Sequence, residues 1–556
     1  DKLDLEVHHG ETVYYDFNRE YLLPHKLSEQ GPGIAVGDIN NDGFEDFFIG
    51  GGYNHSGQLL FGSKNGSFKK RMLTTNEKEK YSEDTGVLFF DFDSDGDLDL
   101  YVASGSNEFY ENSEFYQDRL YRNDGKGNFK LTKNVLPEML TSTSCVRAAD
   151  FDGDGDLDLF IGGRLTPLKY PLPTNSYLLM NQGGKFVDVT NKVAPSLRKP
   201  GMITDALWTD YDSDEDLDLI VVGEFMAIEF YKNVSGRLMN DSQNTGLSHT
   251  SGWWNSINAG DFDNDGDMDY IVGNLGLNSK YKASPKNPIS IYAGDYDNNG
   301  SIDPILTAYN NEKEYPVHSR DDLIKQVPLF EKKYPDYTSY ANATISDILS
   351  TQEKSSVYTA KAFELASSIL INQGNGKFNI KPLPIWAQIA PIFGIIVDDF
   401  DKDGNLDLVV SGNDYGAEVS IGRYDALKGL FLKGTGSGDF VIIKSPESGL
   451  SIEGNTRGSA SIIANGNTKT LIGINDDSLK SYDFIDEQSN NKILVAPAES
   501  IRAKVYLKNG KIRMHEFYYG SSYLSQSTRS IELTGNEKKI IVYDVNNRKK
   551  ILYKND

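Results

Sequence analysis

Seven times the chain writes a nine-residue segment with an oxygen-bearing side chain at positions 1, 3, 5 and 9. The segments begin at Asp38, Asp91, Asp150, Asp210, Asp261, Asp295 and Asp399. The second runs Asp91-Phe92-Asp93-Ser94-Asp95-Gly96-Asp97-Leu98-Asp99. Side chains at alternate positions of a tight turn converge on one point, and carboxylates held there repel unless a cation lies between them. Oxygen-only ligands suit Ca²⁺, a hard ion taking six to eight oxygens at roughly 2.3–2.6 Å. Recurrence at quasi-regular spacing makes this an architecture.

An EF-hand opens the same way, but it needs a bidentate Glu at position 12 and flanking helices. Position 12 is Ile49, Val102, Ile161, Val221, Val272, Leu306 or Val410, always aliphatic. Each segment is followed by an apolar run such as Leu217-Asp218-Leu219-Ile220-Val221-Val222 and preceded by one such as Val87-Leu88-Phe89-Phe90. Strand, acidic turn, strand is the expected local structure.

The expected ligands are Asp38, Asn40, Asp42 and Asp46 in loop 1, and Asp91, Asp93, Asp95 and Asp99 in loop 2. Loop 3 offers Asp150, Asp152, Asp154 and Asp158, and loop 4 Asp210, Asp212, Asp214 and Asp218. Loop 5 offers Asp261, Asp263, Asp265 and Asp269; loop 6 has Asp295, Asp297, Asn299 and Asp303; loop 7 has Asp399, Asp401, Asp403 and Asp407. Position 7 lends its backbone carbonyl, and Gly at position 6 permits the sharp turn. Asn40 and Asn299 each remove one charge and weaken loops 1 and 6. Loop 4 puts Glu215 where Gly is expected, so its turn must strain or re-aim. Five to seven occupied sites are expected, loop 4 being the one most in question.

The formal net charge of −25 over 556 residues argues against a nucleic-acid partner. Seven divalent ions carry fourteen charges and would bring it to −11. Without them the clustered carboxylates repel, so the fold should depend on metal. Cys145 is the only cysteine, which rules out an internal disulfide. Loops of this ligand count bind weakly enough to need extracellular calcium, on the order of 10⁻⁴–10⁻³ M. No apolar run approaches the length of a membrane span. The chain opens at Asp1 as a processed or truncated product would, so an export signal or lipid anchor is expected upstream.

Loop-to-loop distances are 53, 59, 60, 51, 34 and 104 residues. Values near 55 match one four-stranded propeller blade with generous loops. A second phrase recurs between loops: Leu120-Tyr121-Arg122-Asn123-Asp124-Gly125, Tyr177-Leu178-Leu179-Met180-Asn181 and Ile369-Leu370-Ile371-Asn372-Gln373-Gly374, the expected outer hairpin with an Asn-Gly-type turn. The irregular 34 and 104 are explained by an insertion at about 274–366 within the fifth blade, carrying loop 6 and then a helical stretch near 320–350. The expected fold class is all-β: a seven-bladed β-propeller at 31–490, with a loop-free seventh blade around 459–484. Counting the Asp295 loop as a blade would give eight. Residues 1–30 are expected to form a lead-in strand, and 491–556 a small β module that is either separate or a cap.

The Asp-Phe-Asp-x-Asp-Gly-Asp-Leu-Asp repeat with its Phe-Ile-Gly-Gly or Val-Val-Gly continuation resembles the FG-GAP/VCBS repeats of integrin-α-type propellers. The tail around Tyr518-Tyr519-Gly520-Ser521-Ser522-Tyr523-Leu524-Ser525-Gln526 resembles the ASPIC/UnbV domain, although Thr534-Gly535-Asn536 stands where Gly-Leu-Gly is expected. The order is similar to that of VCBS-repeat surface proteins of Bacteroidetes-type bacteria. The resemblance implies secretion, often lipid anchoring, and association with outer-membrane nutrient importers.

Other candidate sites weigh differently. Trp208, Trp253, Trp254 and Trp386 are the only tryptophans; core packing is expected for each, with Trp253 and Trp254 the pair to look for exposed on the face away from the loops, where aromatics stack on sugars or anchor peptides. Arg320 and Tyr337 mark a possible binding surface on the insertion, against the alternative of a helical cover. Arg147, Arg164 and Arg423 have the charge to meet an anionic ligand, but isolated arginines more often pair with carboxylates. The seven histidines show no metalloprotease spacing, and no nucleophile elbow, P-loop or dinucleotide fingerprint is present. The expected function is therefore a non-enzymatic surface binder or an accessory subunit of an outer-membrane uptake complex, with a protein, glycan or peptide partner; the alternative is a carbohydrate-active hydrolase or lyase on a propeller. Replacing Asp93 or Asp152 by Ala should lower thermal stability without abolishing one particular binding event. Equal melting temperatures with and without EGTA would refute the structural role of the ions.

Overall fold

The computed structural model describes residues 6–74, 76, 80–484 and 492–555. Its repeating unit is an antiparallel meander of up to four strands. Sheet 1 is Ile34–Gly37, Asp46–Ile49, Gln58–Phe61 and Lys69–Met72, hydrogen-bonded in chain order. Sheets 2 to 7 begin with Glu83–Phe90, Ser142–Ala149, Met202–Thr209, Gly252–Gly260, Ile392–Asp398 and Thr456–Ala464. These first strands pack one against the next in chain order, and Thr456–Ala464 packs back against Ile34–Gly37. The arrangement is β-propeller-like. Sheets 4 and 5 also share bridges at Glu224↔Trp253 and Met226↔Gly252.

Burial follows from this packing. Glu83–Phe90 and Asp99–Gly105 are buried along their whole length, because each inner strand is covered on both faces by neighbouring sheets. The outermost Lys69–Met72 is exposed throughout and carries Lys and Arg. In sheets 1 to 6 the first and second strands are joined by one acidic loop in a constant register. The residue before the loop pairs with position 9: Gly37↔Asp46, Phe90↔Asp99, Ala149↔Asp158, Thr209↔Asp218, Gly260↔Asp269 and Asp398↔Asp407.

Between Asn274 and Ser368, the second and third strands of sheet 5, lies a separate four-stranded sheet in the order Lys313–Pro316, Asp303–Asn310, Ile289–Gly294, Tyr358–Ala362. Loop 6 joins Ile289–Gly294 to Asp303–Asn310, with Gly294↔Asp303 in the same register as the others. Short helices from Arg320–Gln326 to Thr351–Ser356 cover this sheet. It meets sheets 4 and 5 through Tyr358–Ala362. Among the described residues no helix is long and apolar enough to cross a membrane.

Residues 6–30 differ from the expected lead-in strand. They hold a 3₁₀ turn at Asp16–Asn18 and single bridges, His8↔Ser478 and His25↔Ala417. This segment crosses the sheet ends away from the loops instead of following one edge, and side chains satisfy its backbone: Leu27 and Ser28 N–H both donate to Asp16 Oδ1 at 3.2 Å.

At the loop end sits the C-terminal sheet, ordered Ile512–Glu516, Ser500–Leu507, Glu537–Asp544, Lys549–Lys554, with a second pair Lys492–Val495 and Ser530–Leu533. The segment between these sheets, 517–529, is not part of a β hairpin. It threads among the first strands, whose inner edges would otherwise leave backbone groups without partners. Ala148 N–H donates to Tyr519 O at 3.0 Å and Val87 N–H to Leu524 O at 3.1 Å. The Gln526 amide accepts from Phe89 N–H at 2.7 Å and donates to Phe89 O at 2.9 Å. Ser522 Oγ accepts from Ile395 N–H at 3.1 Å, and Thr528 N–H reaches Ser461 O at 2.9 Å.

Arg147, fully buried, locks the segment in place. It donates to Ser522 O at 2.6 Å, Ser525 O at 3.3 Å and Ala206 O at 2.8 Å, and pairs with Asp205. Asp205 in turn accepts from Ile257 N–H at 3.0 Å, so one buried ion pair joins sheets 3, 4 and 5 to the tail. Gly520 must be glycine here: its φ is +96°, and a Cβ would lie 2.9 Å from the Arg147 guanidinium. Gln526→Leu strands two backbone groups of Phe89 and should cost about 2–4 kcal/mol. The urea midpoint against an exposed control, Gln352→Leu, measures this; matching midpoints would show that the tail does not brace the sheets.

Candidate metal centres

Each acidic loop is built the same way. Positions 4 and 6 both take positive φ: +57° and +87° at Asn41 and Gly43, +59° and +90° at Ser94 and Gly96, +60° and +94° at Lys402 and Gly404. The position-6 N–H donates to the position-1 carboxylate at 2.8–3.0 Å: Gly43 to Asp38, Gly96 to Asp91, Gly155 to Asp150, Gly266 to Asp261, Gly300 to Asp295 and Gly404 to Asp399. Loop 4 keeps this geometry. Glu215 adopts φ +77° and its N–H meets Asp210 at 3.0 Å. Its side chain is held at the C-terminal sheet, 3.3 Å from Arg502 and 2.8 Å from Asn547 Nδ2. The departure at position 6 therefore strains the turn as expected but does not re-aim it, and adds a contact to the C-terminal sheet.

Position 9 plays a different part from the rest. Asp46, Asp99, Asp158, Asp218, Asp269, Asp303 and Asp407 are all buried, each the first residue of a second strand. Six of them accept a backbone N–H from the end of their own sheet's third strand, as Asp99 does from Asn123 at 2.8 Å. Asp303 accepts instead from the Gln326 amide at 2.8 Å. Burial pushes these carboxyls up, to about 7 at Asp99 and about 9 at Asp218, and a cation beside them would favour the charged form.

The residues fit such a cation. Ligand oxygens of Asp210, Asp212, Asp214 and Asp218 all lie within 4.8 Å of one another, as do those of Asp91, Asp93 and Asp99, of Asp150, Asp152 and Asp158, of Asp261, Asp263 and Asp265, and of Asp295, Asp297 and Asp303. Buried oxygens without a hydrogen-bond partner fall on these positions: Asp210 and Asp399 at position 1; Asp93, Asp212, Asp263 and Asp297 at position 3; Asp158 and Asp218 at position 9. A buried carboxylate oxygen with no donor is costly, and a hard cation is the partner that a set of oxygens alone would recruit. Loop 4 is the most complete group of those named.

Three features escaped the sequence reading. Third-strand asparagines join neighbouring loops: Asn123 Nδ2 donates to Ile39 O at 2.7 Å and Leu98 O at 2.9 Å, and Asn181, Asn233 and Asn372 repeat this. The phrase ending in Asn was legible, but its role as a link between sheets was not. Second, cations from the third strand lie over positions 3 and 5 of three loops. Arg122 is 2.8 Å from Asp93 and 2.9 Å from Asp95; Lys232 pairs with Asp212 and Asp214, and Lys433 with Asp401 and Asp403. Third, the C-terminal sheet touches position 1 of three loops: Arg502 lies 2.7 Å from Asp210, Met514 N–H 2.8 Å from Asp261, and Arg513 3.8 Å from Asp399.

The tryptophans correct the expectation of an exposed pair. Trp253 is 5% exposed and Trp254 fully buried, because both faces of Gly252–Gly260 are covered. Trp254 Nε1 donates to Thr250 O at 3.0 Å, and Trp253 packs against Phe225, His25 and Tyr281. Trp208 is buried, but Trp386, expected in the core, is 52% exposed. Arg320 and Tyr337 are brought together, the guanidinium 5.6 Å from the ring centre. Arg320 is occupied within the helical cover, donating to Tyr334 O at 2.8 Å and Pro335 O at 3.0 Å, while Tyr337 is exposed.

Residues 38–102, 91–161 and 210–272 match the family model of the FG-GAP-like repeat. The chain is 29% identical over 207 residues to cartilage acidic protein 1 of Xenopus tropicalis and 26% identical over 203 residues to that of Mus musculus. Each match covers 35% of this chain and 29% of the relative's length. Among solved structures it is similar to the V. cholerae biofilm matrix protein Bap1 (TM-score 0.36, 11% identity, 96% of this chain and 100% of that one) and to exotype rhamnogalacturonan lyase YesX (0.40, 13%, 87% and 75%). At those scores neither likeness specifies the fold.

Replacing Arg122, Lys232 and Lys433 together by Met removes the counter-charges at loops 2, 4 and 7. Calcium calorimetry should show three sites tightened roughly two- to fivefold, since partly exposed pairs of this kind are worth about 1 kcal/mol or less. The melting temperature in EGTA should fall at the same time. An isotherm and an EGTA melt identical to the parent's would deny these cations any role.

Proposed function

We propose that this chain is an extracellular, calcium-stabilised binding or assembly protein, non-enzymatic, built on a seven-bladed β-propeller. The observation that carries the reading is the set of acidic loops with convergent carboxylates and partnerless buried oxygens. Ca²⁺ held at each loop would fix the turn between the first and second strands and keep position 9 ionised. The blade count rests on the sequential packing of seven first strands; the loop-6 sheet stands outside that series, on the insertion.

Extracellular placement is supported by the weak calcium affinity expected of such loops and by relatives whose name places them in cartilage. The C-terminal sheet occupies the loop end, which leaves the opposite end and the insertion to meet a partner. The partner is a protein at the outer membrane, in a transporter or surface complex, or else a glycan or peptide. The loop carboxylates are committed to ions and make poor general acids. Purification from the native envelope in millimolar calcium and mild detergent should bring down a stoichiometric partner that EGTA releases. Recovery of the protein alone, with turnover of a polysaccharide, would overturn the reading.

A further inference from the structure

Near the axis, at the end away from the acidic loops, the chain closes a small chamber. Pro24, His25 and Gln30 border it on one side and Tyr523 of the inserted tail on the other. Its walls are aromatic, with Trp253, Tyr281, Phe393 and Tyr424. The chamber holds about 30 Å³ of room for the centre of a water molecule, on the order of two such positions.

Its polar atoms are unbalanced. Three buried donors on its lining have no partner: Arg164 Nη1, Arg457 Nε and Asn255 Nδ2. The three residues are 8%, 3% and 6% exposed. No fully buried side-chain oxygen on the described lining lacks a partner. Nature rarely leaves even one buried N–H idle, so three around one void indicate a missing acceptor.

The charges agree. Glu224 is held by Arg164, His25 and Tyr170. His25 Nδ1 lies 2.7 Å from Lys26 O, which only accepts, and Nε2 lies 3.2 Å from Glu224, so both ring nitrogens donate and the ring is an imidazolium. Arg457 is 3.2 Å from Asp414 and 4.3 Å from the Phe393 ring centre. Three cationic groups thus face two carboxylates. Water would fill the space, but each water also needs acceptors for its own two hydrogens, whereas an anion needs only donors.

We propose that this chamber binds a carboxylate, as a small organic acid or as the acidic tip of a larger ligand. The two oxygens take the donors of Arg164, Arg457 and Asn255, and the carbon skeleton lies against the aromatic walls. A larger ligand has a place for its body. An outer cleft of about 280 Å³ shares Gln30, Asp414 and Arg457 with the chamber and adds Lys26 and Arg423 together with Glu29, Asp476 and Asp477. The site uses no loop residue and stands independently of the calcium reading.

Thermal shift and calorimetry at fixed free calcium test this with acetate, glucuronate and N-acetylglutamate; chloride and glucose serve as controls. The expected result is a saturable shift with at least one carboxylate and none with the controls. Preference for glucuronate points to an acidic sugar as the source, preference for N-acetylglutamate to an acidic peptide. Asn255→Asp places a carboxylate among the orphan donors; it should melt no lower than the parent and bind at least about tenfold more weakly, since a fixed negative charge replaces a donor. Asn255→Leu, which adds no charge, should also weaken binding. No carboxylate-specific shift in the parent, a shift that survives in both variants, or well-ordered water alone in a carboxylate-soaked crystal would each overturn the proposal.

Discussion

An aspartate carboxylate is buried at the start of the second strand of six sheets and of the loop-6 hairpin, and much of the rest follows from it. In the six sheets it accepts the backbone N–H that ends its third strand, so it ties three strands together at one point. Left without a cation, its burial would drive it towards the neutral form and weaken those bonds. The aspartates at positions 1, 3 and 5, with Asn40 and Asn299, would complete the oxygen set for such a cation. The high negative charge is thus a product of repeating one local solution along the chain.

The ends of the sheet assembly are closed by two irregular segments. The tail at 517–529 satisfies inner-strand edges from the loop end, and residues 6–30 lie across the other. Neither has regular structure, because each has to meet several first strands pointing in different directions. Side-chain amides, hydroxyls and one buried arginine do what a ladder of backbone bonds does elsewhere. The cost of burying Arg147 is offset by Asp205 and by four carbonyl oxygens. This concentrates long-range coupling in a few residues: Arg147, Asp205, Ser522 and Gln526 link most of the sheets through the axis.

Loop 4 shows how a local rule yields to tertiary context. Glycine is favoured at position 6 because φ is positive there, and Glu215 carries that strain. Its side chain gains Arg502 and Asn547 in return, at the place where the C-terminal sheet rests on the loops. The same sheet reaches position 1 of loops 5 and 7. An ion bound at these loops would therefore be coupled to docking of the C-terminal sheet through shared aspartates.

The sequence by itself determined the all-β class, the acidic hairpins and the spacing of the sheets, because a hairpin with alternate ligands is encoded within nine consecutive residues and strand periodicity within a few more. It marked the anomalous spacing in which the loop-6 sheet and its helices are found. It did not reveal that adjacent Trp253 and Trp254 are both buried, since alternation tells which face a side chain takes and not whether another sheet covers that face. Nor did it show that Tyr519 to Gln526 fill the axis, that Arg122, Lys232 and Lys433 lie over the loops, or that Arg164, Asn255 and Arg457 surround one void. Those arrangements join residues tens to hundreds of positions apart, and only the closing of the sheets around a common axis brings them within bonding distance.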